Sequence, residues 1–92
     1  MMKTIQDITY FSLSDASQLI GVSPNKIKEW ELESNLHEAY DEERLIPPAK
    51  RILGETILPI ELNSNGEIPV HAKRYWTAEE VEVIEQYAKK AN

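Results

Sequence analysis

The sequence contains no cysteine, which excludes a disulfide framework and a thiolate metal site. It also lacks an apolar run of the roughly 18 residues that a membrane-spanning helix needs, and no signal-peptide pattern opens the chain. A glycine-rich phosphate loop and a nucleophile in a recognisable catalytic frame are missing as well. These absences predict a cytoplasmic protein that contacts no membrane, is not an enzyme and needs no cofactor.

Basic residues are the scarcer charged class, because ten Lys and Arg stand against sixteen Asp and Glu, for a net charge of −6. Nucleic-acid-binding domains usually have the opposite balance. The charges are unevenly distributed, however: residues 29–43 are rich in acids and hold no Lys or Arg. An acidic protein can therefore carry a local basic surface, and solvated faces of no special role are the alternative. The bases occur as the pairs Lys26 and Lys28, Lys50 and Arg51, Lys73 and Arg74, and Lys89 and Lys90.

Two short helices separated by a tight turn are predicted for residues 14–35. Ser14 is expected to cap the first helix and Gly21 to end it, since glycine takes the left-handed conformation at no steric cost. Ser23 is expected to cap the second helix, with Pro24 in its first turn, where a missing N–H costs nothing. The predicted inward-facing residues are Ala16, Leu19 and Ile20 in the first helix, and Ile27 and Trp30 in the second.

Strand signals flank this helical pair. Residues 1–12 predict an arm or a short strand, and residues 57–76 predict a β-hairpin around an Asn65–Gly66 turn. The intervening residues 36–46 have helical spacing of their apolar positions and predict an additional helix, which Pro47 would stop.

A C-terminal helix is predicted for residues 77–91. Thr77 and Glu80 have the spacing of a capping box, in which each side chain bonds the backbone N–H of the other. The helix is predicted to carry Val81, Ile84 and Ala88 on one apolar stripe, and Val83 and Tyr87 on another.

A helix-turn-helix followed by a β-hairpin predicts a single α+β domain, residues 1–92, with a small winged helix-turn-helix fold. The second helix of this fold fits a DNA major groove, where its first residues meet the base edges. Asn25, Lys26 and Lys28 are the candidates for those contacts. Lys73 and Arg74, at the base of the wing, are the candidates for phosphate contacts.

Two motifs occur in the order found in one known class of DNA-binding domains. The first comprises Ser14, Gly21-Val22-Ser23-Pro24 and Ile27-Lys28-Glu29-Trp30-Glu31, and the second is Arg74-Tyr75-Trp76-Thr77-Ala78-Glu79-Glu80-Val81. Through them the chain resembles the mercury-resistance-regulator-type (MerR-like) domains, in a compact form also similar to phage excisionase-like proteins. The resemblance implies that Lys28 replaces the family's helix arginine and that Arg74 matches its wing arginine. It also implies no small-molecule effector, because the effector domain of the full-length regulators is missing.

The predicted function is binding of double-stranded DNA, as a small transcriptional regulator or as an accessory factor in recombination or packaging. Self-association of copies bound to DNA is part of this prediction, since one winged helix covers little DNA surface. The alternative is a protein-interaction module of the same fold that uses its acidic face as an adaptor, an antagonist or a DNA mimic.

Two further groups of residues have competing interpretations. Tyr75 is included among the candidate DNA-binding residues, but core or hairpin packing is favoured for it and for Trp30 and Trp76. His37, Glu38 and Asp41 have a spacing that could hold a metal ion. A single histidine without a partner histidine makes a weak site, so no metal is predicted.

Overall fold

The computed structural model describes residues 2–60 and 73–91, in which three helices and five strands form a small α+β domain. The strands make one antiparallel sheet in the order β1-β2-β5-β3-β4. The α+β prediction is thereby confirmed. No helix within the described residues is long and apolar enough to cross a membrane. In chain order the elements are β1 (Lys3–Ile5), β2 (Ile8–Ser12), α1 (Leu13–Ile20), α2 (Pro24–Ala39), β3 (Lys50–Leu53), β4 (Thr56–Pro59), β5 (Tyr75–Thr77) and α3 (Ala78–Ala91).

The N-terminal strand prediction is confirmed, and the segment forms a complete hairpin. Ile5 of β1 pairs with Ile8 of β2 across a two-residue turn. Both turn residues, Gln6 and Asp7, have positive φ angles of 50° and 67°. Such turns match the right-handed twist of the strands they join. On its other side β2 pairs with β5, so the hairpin is joined to the rest of the sheet.

The first helix begins two residues earlier than Ser14 predicts. Its N-cap is Ser12, the last residue of β2, whose hydroxyl accepts the Asp15 N–H at 3.2 Å while the Asp15 carboxylate accepts the Ser12 N–H at 3.4 Å. The strand therefore runs directly into the helix, and Ser14 lies inside the first turn. Leu19 is exposed rather than inward-facing, because the buried stripe is formed by Leu13, Ala16 and Ile20.

The turn and the start of the second helix agree with the predictions. Gly21 has a φ of 79° and donates its N–H to the Ser17 carbonyl at 2.9 Å. The Ser23 hydroxyl accepts the Lys26 N–H at 3.3 Å, and Pro24 is the first residue of α2. The inner face of α2 consists of Ile27, Trp30, Glu31 and Ser34, all of them buried.

A separate helix at residues 36–46 is not formed, and this prediction is wrong. Residues 36–39 continue α2, which ends at Tyr40. The physical reason is that no Gly or Pro interrupts the chain after Pro24 until Pro47. A positive φ of 57° at Asp41 follows the end of the helix.

A second hairpin lies at residues 50–59. β3 and β4 pair across a turn of Gly54 and Glu55, in which Gly54 has a φ of 64°. Pro59, which has no N–H to donate, lies in the edge strand β4, where this loss is tolerated. The predicted Asn65–Gly66 turn lies outside the described residues. Within the described residues, the first predicted wing strand corresponds to β4, which pairs with β3. The second predicted wing strand ends in β5, which pairs with β2 and, through Tyr75, with Lys50 of β3.

The C-terminal helix and the core complete the domain. The Thr77–Glu80 capping box is confirmed, because Thr77 donates its N–H to the Glu80 carboxylate at 2.9 Å and the Thr77 hydroxyl accepts the Glu80 N–H at 3.3 Å. The Tyr87 ring meets the Trp30 ring edge-on, with centroids 5.1 Å apart. Both tryptophans are buried, as favoured. The hydrophobic core consists of Ala16, Ile27, Trp30, Ile46, Ala49, Trp76, Val81, Ile84 and Ala88.

Candidate nucleic-acid interface

The turn before α2 is bonded to α1. The Val22 N–H reaches the Ser17 carbonyl at 3.2 Å, and the Ser17 hydroxyl donates to the Val22 carbonyl. Ile20 and Val22, on the two sides of Gly21, pack against the core. These contacts join the end of α1 to the segment that leads into α2.

Three predicted contact residues lie exposed on the first two turns of α2. They are Asn25, Lys26 and Lys28. Lys26 approaches the Glu29 carboxylate at 3.6 Å, but both side chains are more than half exposed. An ion pair of this kind contributes little free energy, so the Lys26 ammonium can leave it for another anion. The structure thus brings these three side chains together on one accessible helix end.

Arg74 points inward instead of toward a partner. Its Nε donates to the Glu31 Oε1 at 2.5 Å, and the two side chains are only 10% and 2% exposed. The guanidinium neutralises a carboxylate on the inner face of α2, which would otherwise be a buried unpaired charge. The predicted phosphate contact needs an accessible guanidinium, and the structure instead places Arg74 in this buried ion pair. The sequence holds one signal for this ion pair. Glu31 lies one helical turn after Ile27, on the inward-facing stripe of α2, where a carboxylate needs a cation.

Tyr75 is likewise placed inside the sheet. It is buried, and it pairs with Ser12 on one side and Lys50 on the other. The Lys3 ammonium lies 5.6 Å from the centre of its ring. The structure therefore does not present Tyr75 as a base-stacking or phosphate-contacting residue, and packing within the domain, which the sequence favoured as core or hairpin packing, describes its place.

Burial dominates the electrostatics of Glu31. It raises the pKa of that carboxyl, while the hydrogen bond and positive charge of Arg74 oppose the rise. Nearby, the Arg44 guanidinium donates to the Asn35 amide oxygen at 2.8 Å and to the Glu38 carboxylate at 2.6 Å. These residues line a cavity of about 150 Å³. The network fixes the segment after α2 against the second half of the helix.

The remaining bases divide into accessible and engaged side chains. Lys73 is exposed, as the prediction of a wing contact requires. Lys50 is held by the Glu80 carboxylate at 2.5 and 2.6 Å. Arg51, the next residue on β3, is exposed because successive strand residues face opposite sides. It was identified as part of a basic pair but not as a contact residue.

The possible metal ligands do not assemble. No group of three His, Asp or Glu side chains suited to a metal occurs within residues 2–60 and 73–91. The Nδ1 of His37 lies 3.2 Å from the Glu43 carbonyl oxygen. The imidazole therefore takes part in closing the end of α2.

Comparison of the chain with protein-family models, with curated proteins and with solved structures finds no match. The MerR-like resemblance is consequently carried by the two sequence motifs alone. In the structure the first motif forms the turn and the start of α2, and the second forms β5 and the capped start of α3.

Proposed function

We propose that the domain binds double-stranded DNA by placing the start of α2 in the major groove, as a small winged helix-turn-helix protein. The supporting observation is the exposed helix end that carries Asn25, Lys26 and Lys28 after a turn bonded to α1. Ile27 and Trp30, on the opposite side of the same turns, anchor that end in the core. An α-helix fits the major groove, and its first residues meet base edges there.

Each exposed side chain has a chemical role in this proposal. The Asn25 carboxamide offers a donor and an acceptor, which suit the edge of an adenine, and a lysine suits guanine or a phosphate. Lys73 and Arg51 contact the phosphate backbone as the wing side of the interface. Both bases lie close in sequence to one strand pair, because Lys50 beside Arg51 pairs with Tyr75, two residues after Lys73.

Few phosphate contacts imply a modest dependence of affinity on salt. We expect binding of random-sequence duplex DNA in a fluorescence anisotropy titration, with a log–log salt slope of roughly −2 to −5. Titrations at two salt concentrations measure it. No binding at the lower salt concentration would contradict the proposal and favour the protein-interaction alternative.

Substitutions distinguish the side chains proposed to contact bases from those proposed to contact phosphates. Asn25→Ala should change which sequences are preferred, by roughly 1–3 kcal/mol at a contacted base pair. Lys73→Ala should weaken binding to all duplexes equally, since phosphate contacts carry no sequence information. Lys90→Ala, which removes the same charge from the exposed end of α3, is the matched control and should leave binding unchanged. Identical behaviour of Asn25→Ala and Lys73→Ala on preferred and random DNA would overturn the placement of α2.

Occupancy of DNA by more than one copy is part of the proposal. A single module buries about 600–1,000 Å² on DNA, which is too little for high selectivity alone. Of the two residues predicted on the outer stripe of α3, Val83 is exposed whereas Tyr87 packs on Trp30. We expect cooperative binding to duplexes of two or three site lengths in the same titration. Equal affinity per site on duplexes of one, two and three lengths would exclude cooperativity.

A further inference from the structure

Three large apolar side chains lie in a row on the outer face of α2. Leu32, Leu36 and Tyr40 are 41%, 49% and 77% exposed. The spacing of four residues places Leu32 and Leu36 along one side of the helix, and Tyr40, the C-cap residue, follows at its end. We call these three residues the α2 stripe.

The α2 stripe is not part of the hydrophobic core. That core, as the described residues form it, contains Ile27 and Trp30 from α2 but no member of the stripe. A surface helix normally has one apolar face and one polar face. Single exposed leucines are common, but a continuous row of apolar side chains marks a surface that another molecule covers.

Most of the charges around the α2 stripe are negative; the bases near it are Lys28, one turn before Leu32, and Lys26, which approaches Glu29. Glu29 and Glu33 are exposed on the same side of the helix, and Asp41, Glu42 and Glu43 are exposed just beyond its end. The C-terminal end of a helix adds a partial negative charge of its own. The Arg44 guanidinium, which follows these acids, is engaged by Asn35 and Glu38.

This charge pattern discriminates among occupants. DNA phosphates would be repelled by the acids. A second copy of the chain, docked stripe to stripe, would bring two acidic rims together. A basic partner would be attracted by the acidic rim and would bury apolar surface on the α2 stripe. Complementary electrostatic potentials of this kind select partners and speed their association.

We propose that the α2 stripe docks a basic amphipathic helix of another protein, which places apolar residues over Leu32, Leu36 and Tyr40 and Lys or Arg residues beside the acidic rim. Recognition of an amphipathic helix by anchors at helical spacing is an established mode of binding. The inference does not depend on the proposed DNA function, because none of the DNA-contacting residues belongs to the stripe. One helix would then serve DNA at its start and a protein at its end.

The test uses a defined probe. A fluorescent peptide of about 18 leucine and lysine residues, long enough to be helical, carries leucines at i, i+3, i+4 and i+7. A second peptide of the same composition has the leucines scrambled. We expect the protein to bind the amphipathic peptide more tightly than the scrambled one, by about tenfold or more from the burial of anchoring leucines. Equal affinity for the two peptides would show charge attraction only and would overturn the proposal.

Variants locate the binding surface. Leu36→Ser should weaken binding of the amphipathic peptide by about tenfold, whereas Leu53→Ser, at a still more exposed leucine on β3, should not change it. Glu29→Gln with Glu33→Gln should weaken binding and flatten its salt dependence. Glu82→Gln with Glu79→Gln, two exposed acids on α3, is the control. Equal effects of a stripe variant and its control would overturn the assignment.

Two further measurements exclude the other occupants. Sedimentation of the wild type and of Leu36→Ser should give the same molecular mass, and a dimer lost on substitution would assign the stripe to a second copy. Duplex DNA binding by Leu36→Ser should equal that of the wild type. A loss of DNA binding in this variant alone would make the stripe part of the DNA interface and would overturn the proposal. A failure of both the wild type and Leu36→Ser to bind DNA would leave the peptide result unaffected.

Discussion

The inner and outer faces of α2 reverse part of the polarity of a simple amphipathic helix. The inner face buries two polar residues, Glu31 and Ser34, while the outer face exposes Leu32 and Leu36. The buried polar groups bond to distant parts of the chain, Ser34 to Leu45 and Ile46 and Glu31 to Arg74. One carboxylate oxygen of Glu31 has no hydrogen-bond partner in the part of the chain that the structure describes. The exposed apolar groups are not covered by the core. We therefore expect the inner face to determine stability and the outer face to serve the recognition proposed above.

The largest expected effect is at Trp30, at the centre of the inner face. Trp30→Ala should lower the free energy of unfolding by about 3–5 kcal/mol, because it leaves a cavity beneath Tyr87. Leu32→Ala, two residues away on the outer face, should change it by about 0.5 kcal/mol or less. Urea unfolding measures both. A Trp30→Ala protein that is as stable as the wild type but no longer binds DNA would place Trp30 on the outer, recognising face.

The next effect concerns the buried ion pair. Arg74→Ala should cost about 3 kcal/mol of unfolding free energy, because it leaves the Glu31 carboxylate buried without its cation. Adding Glu31→Gln should restore part of that loss, since the unpaired charge is removed. Lys28→Ala on the outer face should cost almost nothing. If the double variant loses the sum of the two single losses, the pair is not coupled.

A smaller effect is expected at Ser34. Its hydroxyl donates to the Trp30 carbonyl at 2.7 Å and accepts the N–H groups of Leu45 and Ile46 at 3.1 Å each. Ser34→Ala should cost about 1–3 kcal/mol, because both N–H groups lose their acceptor. Ser14→Ala, at an exposed serine of α1, should cost about 0.5 kcal/mol or less. Equal costs in urea unfolding would show that the loop does not depend on Ser34.

The smallest effect is a dependence of stability on pH. Burial raises the pKa of Glu31 in the folded state, so the folded protein holds this proton more tightly than the unfolded chain. The resulting stabilisation is complete below the unfolded pKa, about 4.3, and is lost as pH rises through the raised folded pKa. Glu31→Gln should remove this decline, and Glu33→Gln on the outer face should not. Parallel stability profiles of wild type and Glu31→Gln would contradict it.

Much of the local structure was predictable, because its signals act within one helical turn or one hairpin. The Gly21 end of α1, the Ser23 cap of α2 and the Thr77–Glu80 box each bond backbone groups a few residues away. The continuity of α2 was missed although the absence of Gly and Pro between Pro24 and Pro47 was visible. The β3–β4 hairpin was missed too, and Gly54 was its signal.

The candidate interface was predictable only in part. Asn25, Lys26 and Lys28 follow a recognisable helix start, and the helical period places them outward. No such local signal exists for Arg74 and Tyr75. The sequence around Arg74 would be the same whether its guanidinium faced a phosphate or a carboxylate. The distinction depends on Glu31, which lies 43 positions away in the chain.

The sequence by itself determined the Gly21 end of α1, the capped starts of α2 and α3 and the α+β character of the domain, since these depend on short-range hydrogen bonds and hydrophobic period. It did not determine the start of α1, which Ser12 caps in place of Ser14. Tertiary structure alone decided which charges are engaged. It joined Arg74 to Glu31 and Lys50 to Glu80, and it left Leu32, Leu36 and Lys28 exposed. The physical reason is that a buried charge requires a partner of opposite charge. The fold supplies that partner from residues far away in the chain, which no local sequence pattern relates.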